Sequence, residues 1–441
     1  MLEARSPSIF VSLRVLCAGL LLGLITLTAA FYRDFAYLYL PLGPVKLYVT
    51  EVVLILVLTL LAAAGITTGI VRVRLGVAAV PVILFCLTGV LALVRGRGWG
   101  ILSVREFATN YYSILYLLIP IVFLSQRASR WLAKGILVGT AIASCIVLLR
   151  IFMGIGTITS TGSVRYHPSI GIGASFALYW FLGAPASTPV KRTWHTLGAV
   201  ACVLLIVVAT QHRSAIVAIA GSLLLWLAIL HKGRGPGAIG TPGLTLVTVL
   251  MAALFVLLNS HIAAPTLDRF RALIQSSEDP NSAWRLYSWG LMIAGIAQAP
   301  LLGHGFGGNL PSFLFHGQAY GLDPTVPIGA HNSYLFLLFK EGIIGFGLAV
   351  AFAASVFAFC LPRVHRNDSG EDRWIAGAAI GAFSFVCLFA AFNVVLEGPY
   401  MGMFFWIYPA LAEAILRNGS RTDAPLETVG ASLVPAQAGS S

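Results

Sequence analysis

The chain has 441 residues, of which 58% are hydrophobic and 10% charged, with mean hydropathy +0.89. A soluble domain carries about a quarter of its residues as charges, so this composition excludes a water-soluble globular protein and makes lipid the main solvent. The net charge of +12 is scattered between apolar runs, which points to loop charges biased across a membrane and not to nucleic-acid binding.

A spanning helix needs about 20 mostly apolar residues. Such runs lie near 9–31, 45–64, 75–94, 107–124, 132–152 and 168–184, then near 194–210, 214–231, 243–260, 342–362, 375–395 and 401–416. The first run is interrupted by Arg14 and followed by many others, so it reads as a helix and not as a cleaved signal. The expected fold is an all-α polytopic membrane protein of about twelve transmembrane helices in one membrane domain, 1–421. One long connection, 261–341, contains short helices, and a tail at 422–441 has the composition of a disordered segment. Cys17, Cys86, Cys145, Cys202, Cys360 and Cys387 each lie within an apolar run and read as small core residues, not as disulfides or ligands.

An even number of spans places both termini on one side. The short connections on that side carry Arg72, Arg74, Arg127, Arg130, Lys134, Lys191, Arg192, Lys232, Arg234, Arg363, Arg366, Arg373, Arg417 and Arg421, which makes it cytoplasmic. The opposite side is also cationic: Arg33, Lys46, Arg95, Arg97, Arg105, Arg150, Arg165, Arg213, Arg269, Arg271, Arg285 and Lys340 fall there. Most are arginine, the residue suited to bidentate binding of phosphate, so an anionic substrate is expected on that face; interfacial snorkelling is the alternative for any single one.

Within the long connection, Leu267, Phe270, Leu273 and Ile274 have helical spacing and predict a short interfacial amphipathic helix. Three segments carry chemistry. The first is Thr210-Gln-His-Arg-Ser214, a very short turn that holds Arg213 at the mouth of a helical hairpin. The second is Asn281-Ser-Ala-Trp-Arg-Leu-Tyr-Ser-Trp289, which puts Arg285 and Trp289 on one helix face; it reads either as a phosphate grip beside aromatics or as an interfacial belt. The third is Gly329-Ala-His-Asn332 leading through Lys340 and Glu341 into a span. Helical spacing would set His331, Tyr334, Leu335 and Leu338 on one face, with Lys340 facing away. A neutral histidine there could take a proton from an alcohol, or could make structural hydrogen bonds at a helix start.

The glycine-rich Pro300-Leu-Leu-Gly-His-Gly-Phe-Gly-Gly308 lacks the Gly-Lys-Ser/Thr of a P-loop and predicts a tight turn with close backbone approach, in which His304 is structural. There is no Asp-x-Asp pair, His-Glu-x-x-His or cysteine cluster to support a metal site.

These segments, in this order, resemble the O-antigen ligase and O-antigen polymerase superfamily. The resemblance rests on Arg213 in its short turn, on Trp284-Arg285 followed by Pro300 to Gly307, and on His331-Asn332 followed by Glu341-Gly342. It implies a glycosyltransferase without metal or other cofactor, acting on the periplasmic face of a bacterial inner membrane. The donor would be an undecaprenyl-diphosphate-linked glycan, and the acceptor lipid A-core for a ligase or a second lipid-linked repeat for a polymerase. By the same resemblance His331 would be the general base and Arg213 and Arg285 would hold the diphosphate. His212, Trp284, Trp289, Asn332 and Glu341 would support them. Relatives often show Ser or Gly around the short-turn arginine, where this chain has Gln211 and His212, so the role of His212 stays open. A different class, a lipid-linked sugar transporter or flippase, would need charges or broken helices near mid-membrane; Arg14, Arg150 and Glu413 come nearest.

Overall fold

The computed structural model describes residues 7–42, 45–68, 75–158, 164–167, 169–183, 188–210, 212–231, 280–307, 313–315, 318–320, 331–366 and 370–419. The expected span at 243–260, the amphipathic helix around Leu267 to Gln275 and the tail at 422–441 lie outside them.

The fold is an all-α bundle of a membrane protein. α1 (Pro7–Ala36) is followed by a hairpin of β1 (Tyr39–Leu42) and β2 (Val45–Tyr48), then α2 (Val49–Thr68) and α3 (Ala79–Arg95). Three short helices come next, α4 (Ile101–Glu106), α5 (Ala108–Tyr111) and α6 (Ile114–Val122), then α7 (Gln126–Phe152). Two-residue strands β3 (Thr157–Ile158) and β4 (Val164–Arg165) pair antiparallel ahead of α8 (Ile170–Gly183) and α9 (Pro189–Leu204). A single π turn, Leu205–Ala209, leads to α10 (Arg213–His231). Beyond it lie α11 (Pro280–Gln298), the hairpin of β5 (Phe313–Phe315) and β6 (Gln318–Tyr320), α12 (Ser333–Arg366), α13 (Gly370–Ala390) and α14 (Pro399–Gly419). Six of the described helices are long and apolar enough to cross a membrane by length and composition alone.

Lipid facing is legible on α3. Val80, Ile83, Leu84, Leu87, Leu91 and Val94 are exposed along one stripe, while Ala79, Val82, Phe85, Gly89 and Ala92 are buried on the other. Large aliphatics outside and smaller groups inside are what a helix needs when its outer solvent is hydrocarbon. The centre is aromatic: Phe352 of α12 lies 4.6 Å from Trp406 and 5.6 Å from Phe405 of α14, and Phe405 lies 5.2 Å from Phe383 of α13, centroid to centroid.

Two expected spans are shorter or more broken than hydropathy suggests. Residues 45–48 form β2, and the run at 107–124 is divided between α5 and α6, with Pro120 inside the latter. Conversely α12 begins at Ser333, well before the apolar run at 342, because Lys340 and Glu341 are carried into the protein interior.

α12 is interrupted at Gly342, whose φ of 69° and ψ of −169° belong to no helix. The glycine-rich segment 300–307 passes through the gap. His304 N–H donates to the Phe339 carbonyl and Gly305 N–H to the Lys340 carbonyl, both at 2.9 Å; Ile343 N–H donates to the Pro300 carbonyl at 2.8 Å. On its far side Phe306 N–H donates to the Ala92 carbonyl at the end of α3 at 3.0 Å. A Cβ on Gly303, whose φ is +63°, would stand 2.4 Å from the Lys340 backbone. The segment makes the close backbone approach expected of it. His304 is structural, its Nε2 2.8 Å from the Gly295 carbonyl and its ring against Phe339.

The charges at the break are neutralised internally. Lys340, expected on the cationic outer face, is instead 2% exposed, with Nζ 2.8 Å from Glu106 Oε2. That oxygen also accepts from Gly307 N–H at 2.6 Å. Glu341 Oε2 accepts from Asn110 Nδ2 at 3.0 Å and from Thr88 Oγ1 at 3.1 Å. The three groups relevant to a transporter are held in the same way. Arg14 Nε donates to the Val122 carbonyl at 3.2 Å, Arg150 pairs with Asp34 at 3.1 Å, and Glu413 pairs with Arg417 at 2.6 Å while accepting from Val77 N–H. Backbone of the protein itself fills the helix break, and each of these charged groups has at least one partner within the protein.

Two stability outcomes follow. Gly303→Ala should cost about 1–3 kcal/mol, because an L side chain is strained at that φ and meets backbone that cannot retreat. Gly290→Ala in α11, where a Cβ meets nothing, should be neutral or stabilising by up to about 1 kcal/mol. Thermal unfolding in detergent compares them, and equal melting would show that the loop does not seal the break. Lys340→Met strands the Glu106 carboxylate and should cost about 3–5 kcal/mol. Adding Glu106→Gln should recover part of that loss; a purely additive double variant would contradict the coupling.

Candidate active site

His331 ends the connection that leads into α12. Its φ is +50°, one of two positive values at non-glycine residues in the described chain. Asn332 caps the helix: its Oδ1 accepts from Tyr334 N–H and Leu335 N–H, both at 3.0 Å. His331 therefore stands just outside α12, so helical spacing does not set its facing, contrary to the single face expected with Tyr334, Leu335 and Leu338. A left-handed turn before a capped helix instead fixes where its ring goes. Such strain at a polar residue in a junction is common at functional sites.

The ring is partly buried, and its Nδ1 has no hydrogen-bond partner within the protein. Burial holds its pKa below the ordinary histidine value, the positive charge of Arg285 lowers it further, and the side chain of Asn393 opposes both. Arg285 and His331, on different elements, are thus close enough to sense one another. Arg285 is half-buried on α11 and engaged within the protein. Trp289, four residues on, packs with Met292, Leu335 and Phe339 in the seam between α11 and α12. It serves that packing and holds the Arg285 helix against the His331 helix.

The other expected residues sit as follows. Arg213 is the first residue of α10, so the short turn is present, and its side chain lies outside the described set, as does that of Trp284. His212 is half-buried, and its N–H donates to Thr210 Oγ1 at 3.3 Å. Tyr166 N–H donates to the Ala209 carbonyl at 2.8 Å, which ties this turn to the segment before α8. Glu341 lies just before the helix break, at the end of the first part of α12 away from His331, and contacts Asn110 and Thr88. Its contribution is to anchor α12. Among the described residues no three or more His, Cys, Asp or Glu side chains are grouped to hold a metal ion.

Sequence reasoning missed the connection between α13 and α14. Asn393 faces His331, and the Ser333 hydroxyl, two residues from His331, contacts Asn393 and Glu397. Glu397 also lines a cavity of about 710 Å³ with Met292, Phe336, Lys340, Glu106 and Arg105. The cavity is mostly apolar and lies beside the His331 segment; neither His331 nor Arg285 lines it. The only available sequence signal was two polar residues in a short connection between spans.

The geometry defines a polytopic membrane protein with a neutral imidazole and a guanidinium at the junction of a long connection and the bundle. Residues 198–350, about a third of the chain, match the family model described as O-Antigen ligase. The matched segment includes Arg213, α11, the glycine segment and His331, and it supports the O-antigen ligase superfamily to which the three motifs point. No curated protein matches the chain. The family covers O-antigen ligases and polymerases and implies a glycosyltransferase-like enzyme.

The electrostatic link is measurable. Arg285 lowers the His331 pKa, so Arg285→Gln should raise it and move the imidazole titration to higher pH. Carbon-13 NMR of labelled histidine in the solubilised protein follows this without requiring activity. An unmoved titration would show that Arg285 does not act on the ring.

Proposed function

We propose that the protein is an inverting, metal-independent glycosyltransferase that moves an O-antigen glycan from undecaprenyl diphosphate to lipid A-core on the periplasmic face of the bacterial inner membrane. The observation that carries this reading is the electrostatic coupling of Arg285 to His331 within the segment that matches the O-antigen ligase family. In this reading both termini are cytoplasmic.

The chemistry needs little beyond these groups. A sugar diphosphate is already activated, so its leaving group needs charge neutralisation more than protonation. Arg285 and Arg213 would supply it, with greater effect as the site excludes water. The acceptor hydroxyl oxygen attacks the anomeric carbon and its proton passes to the His331 imidazole. The bond from that carbon to the diphosphate oxygen breaks, and the electron pair leaves with undecaprenyl diphosphate. A single in-line displacement inverts the anomeric centre.

The depressed His331 pKa fits this order of events. An imidazole beside a guanidinium stays neutral at rest and so remains able to accept a proton. When the donor diphosphate arrives, its negative charge offsets Arg285 and makes the same imidazole a stronger base. The base then reaches full strength with donor bound.

The test uses the purified chain with undecaprenyl-diphosphate-linked glycan, offered lipid A-core or a second lipid-linked repeat. Transfer to lipid A-core is expected. Transfer only to the lipid-linked repeat would make the protein a polymerase, and no transfer to either would overturn the reading. His331→Ala should reduce the rate about 10²–10⁴-fold, and a stably folded variant with normal turnover would remove the general base. A chelator should leave turnover intact; loss restored by a divalent cation would end the metal-free mechanism.

A further inference from the structure

The Ser333 hydroxyl is fully buried and sits at a crossing of four polar groups. It accepts from Val395 N–H at 3.0 Å and from Leu396 N–H at 3.2 Å. Two acceptors compete for its single proton: the Asn393 carbonyl at 3.1 Å and Glu397 Oε2 at 2.5 Å. A hydroxyl has one proton and two lone pairs. Both lone pairs are taken by the two amides, so the only freedom left is the choice of acceptor.

That choice depends on Glu397. An ionised carboxylate is the stronger acceptor and its short contact is of the charge-assisted kind. A protonated carboxyl cannot donate to Ser333 Oγ, whose lone pairs are occupied, and its remaining carbonyl oxygen is a weaker acceptor, so the balance for the Ser333 proton shifts toward the Asn393 carbonyl. The other Glu397 oxygen is buried without a hydrogen-bond partner in the protein, although the backbone amides of Val395 and Glu397 help to stabilise the ionised carboxylate. Asn393 is also the residue whose side chain faces the His331 ring, and its Oδ1 is held by Val394 N–H at 2.9 Å. Glu397 is therefore connected to His331 by two short routes, through Ser333 two residues along the chain and through Asn393 across it.

We infer that Glu397 is a positioning residue for His331, acting through Ser333 and Asn393, and that it does so as the carboxylate. This inference rests on the glycosyltransferase reading above. Burial raises the Glu397 carboxyl to about 7, with Glu106 adding to the rise and the Ser333 hydrogen bond opposing it. The groups that face Glu397 are Ser333 from α12, Glu106 from α4 and Tyr400 from α14. Lys340 shares the cavity, but its charge is bound to Glu106. The group whose charge acts on His331 is Arg285 from α11.

The sign of the pH dependence follows. His331 must be neutral to accept a proton and Glu397 must be ionised to position it, so both demand higher pH. Activity falls on acidification through two groups. The Glu397 component lies near 7, and the His331 component lies below the ordinary histidine value.

The experiment measures transfer to the acceptor that wild type uses, over a pH series spanning 7, with the full chain in detergent or proteoliposomes. Glu397→Gln keeps shape and volume and removes the charge. It should lower kcat about 10–100-fold, the scale of a misplaced catalytic group, while KM for the lipid-linked donor changes less than about threefold. Its acid limb should lose the component near 7 and become a single titration. Glu397→Asp keeps an ionisable carboxyl and should keep the two-component limb, which leaves the inference testable if Glu397→Gln does not accumulate. Ser333→Ala should reproduce the kcat loss, and the double variant should be no worse than the poorer single one, because both act on one path. Wild-type kcat and an unchanged acid limb in Glu397→Gln, or multiplying defects in the double variant, would overturn the inference. His331→Ala serves as the separate control: if wild type transfers glycan, His331→Ala does not, and Glu397→Gln matches wild type, the positioning role alone falls. If wild type transfers none, the functional reading falls first.

Discussion

A helix broken inside a membrane frees amides and carbonyls that hydrocarbon cannot satisfy, at several kcal/mol for each group left alone. In this protein the break at Gly342 is sealed by backbone from another part of the chain. Pro300, His304 and Gly305 exchange hydrogen bonds with Phe339, Lys340 and Ile343, and Phe306 carries the same strand of chain to Ala92 of α3. The first part of α12, from Ser333 to Glu341, takes its direction from this seal. It has the capping Asn332 and then His331 at its N-terminal end, so the position of the imidazole depends on how the break is filled. The glycines are required because a side chain at Gly303 would collide with the Lys340 backbone. A motif that looks like a ligand-binding loop is here the fitting that holds a helix.

The charges divide into two kinds. Lys340, Glu106, Glu341, Arg14, Arg150 and Glu413 each have a partner within the protein. For the buried ones, Lys340, Glu106, Glu341 and Glu413, the absence of a partner would cost several kcal/mol and pairing offsets that cost, whereas Arg150 and Asp34 form a surface pair. The second kind is at the His331 junction, where the positive charge of Arg285 bears on a partly buried imidazole. The cationic surface read from topology loses Lys340, which is buried. Lys340 belongs to the scaffold, Arg150 is tied to Asp34, and Arg285 alone among the described arginines is shown to bear on the imidazole.

The fold class was legible because it follows from apolar content and run length, which are local properties. The short turn at Arg213 and the helix that carries Arg285 and Trp289 were legible for the same reason. The start of α12 was not, because Lys340 and Glu341 break the apolar run. Their burial depends on Glu106, Asn110 and Thr88, more than 200 residues away in sequence. The hairpin at 39–48 was missed because alternation over four residues is hidden inside an apolar stretch. The facing of His331 was misjudged by extending helical spacing one residue past a cap that changes the backbone direction.

The α13–α14 connection shows a further limit of motif reading. Its contacts with Ser333 span more than 60 residues, and the segment that matches the O-antigen ligase family ends at 350, before this connection begins. A matched segment can therefore hold His331 and the cation that lowers its pKa while the residues contacting Ser333 come from outside it. A left-handed residue before a helix has few backbone hydrogen bonds of its own to hold it, so a neighbouring element must do so. Here the Ser333 hydroxyl, which has two amides donating to it and one proton to give, is that point of attachment. In the positioning role inferred for Glu397, ionisation of that carboxyl strengthens one of the two acceptors of the Ser333 proton, and the other belongs to Asn393, which faces the imidazole.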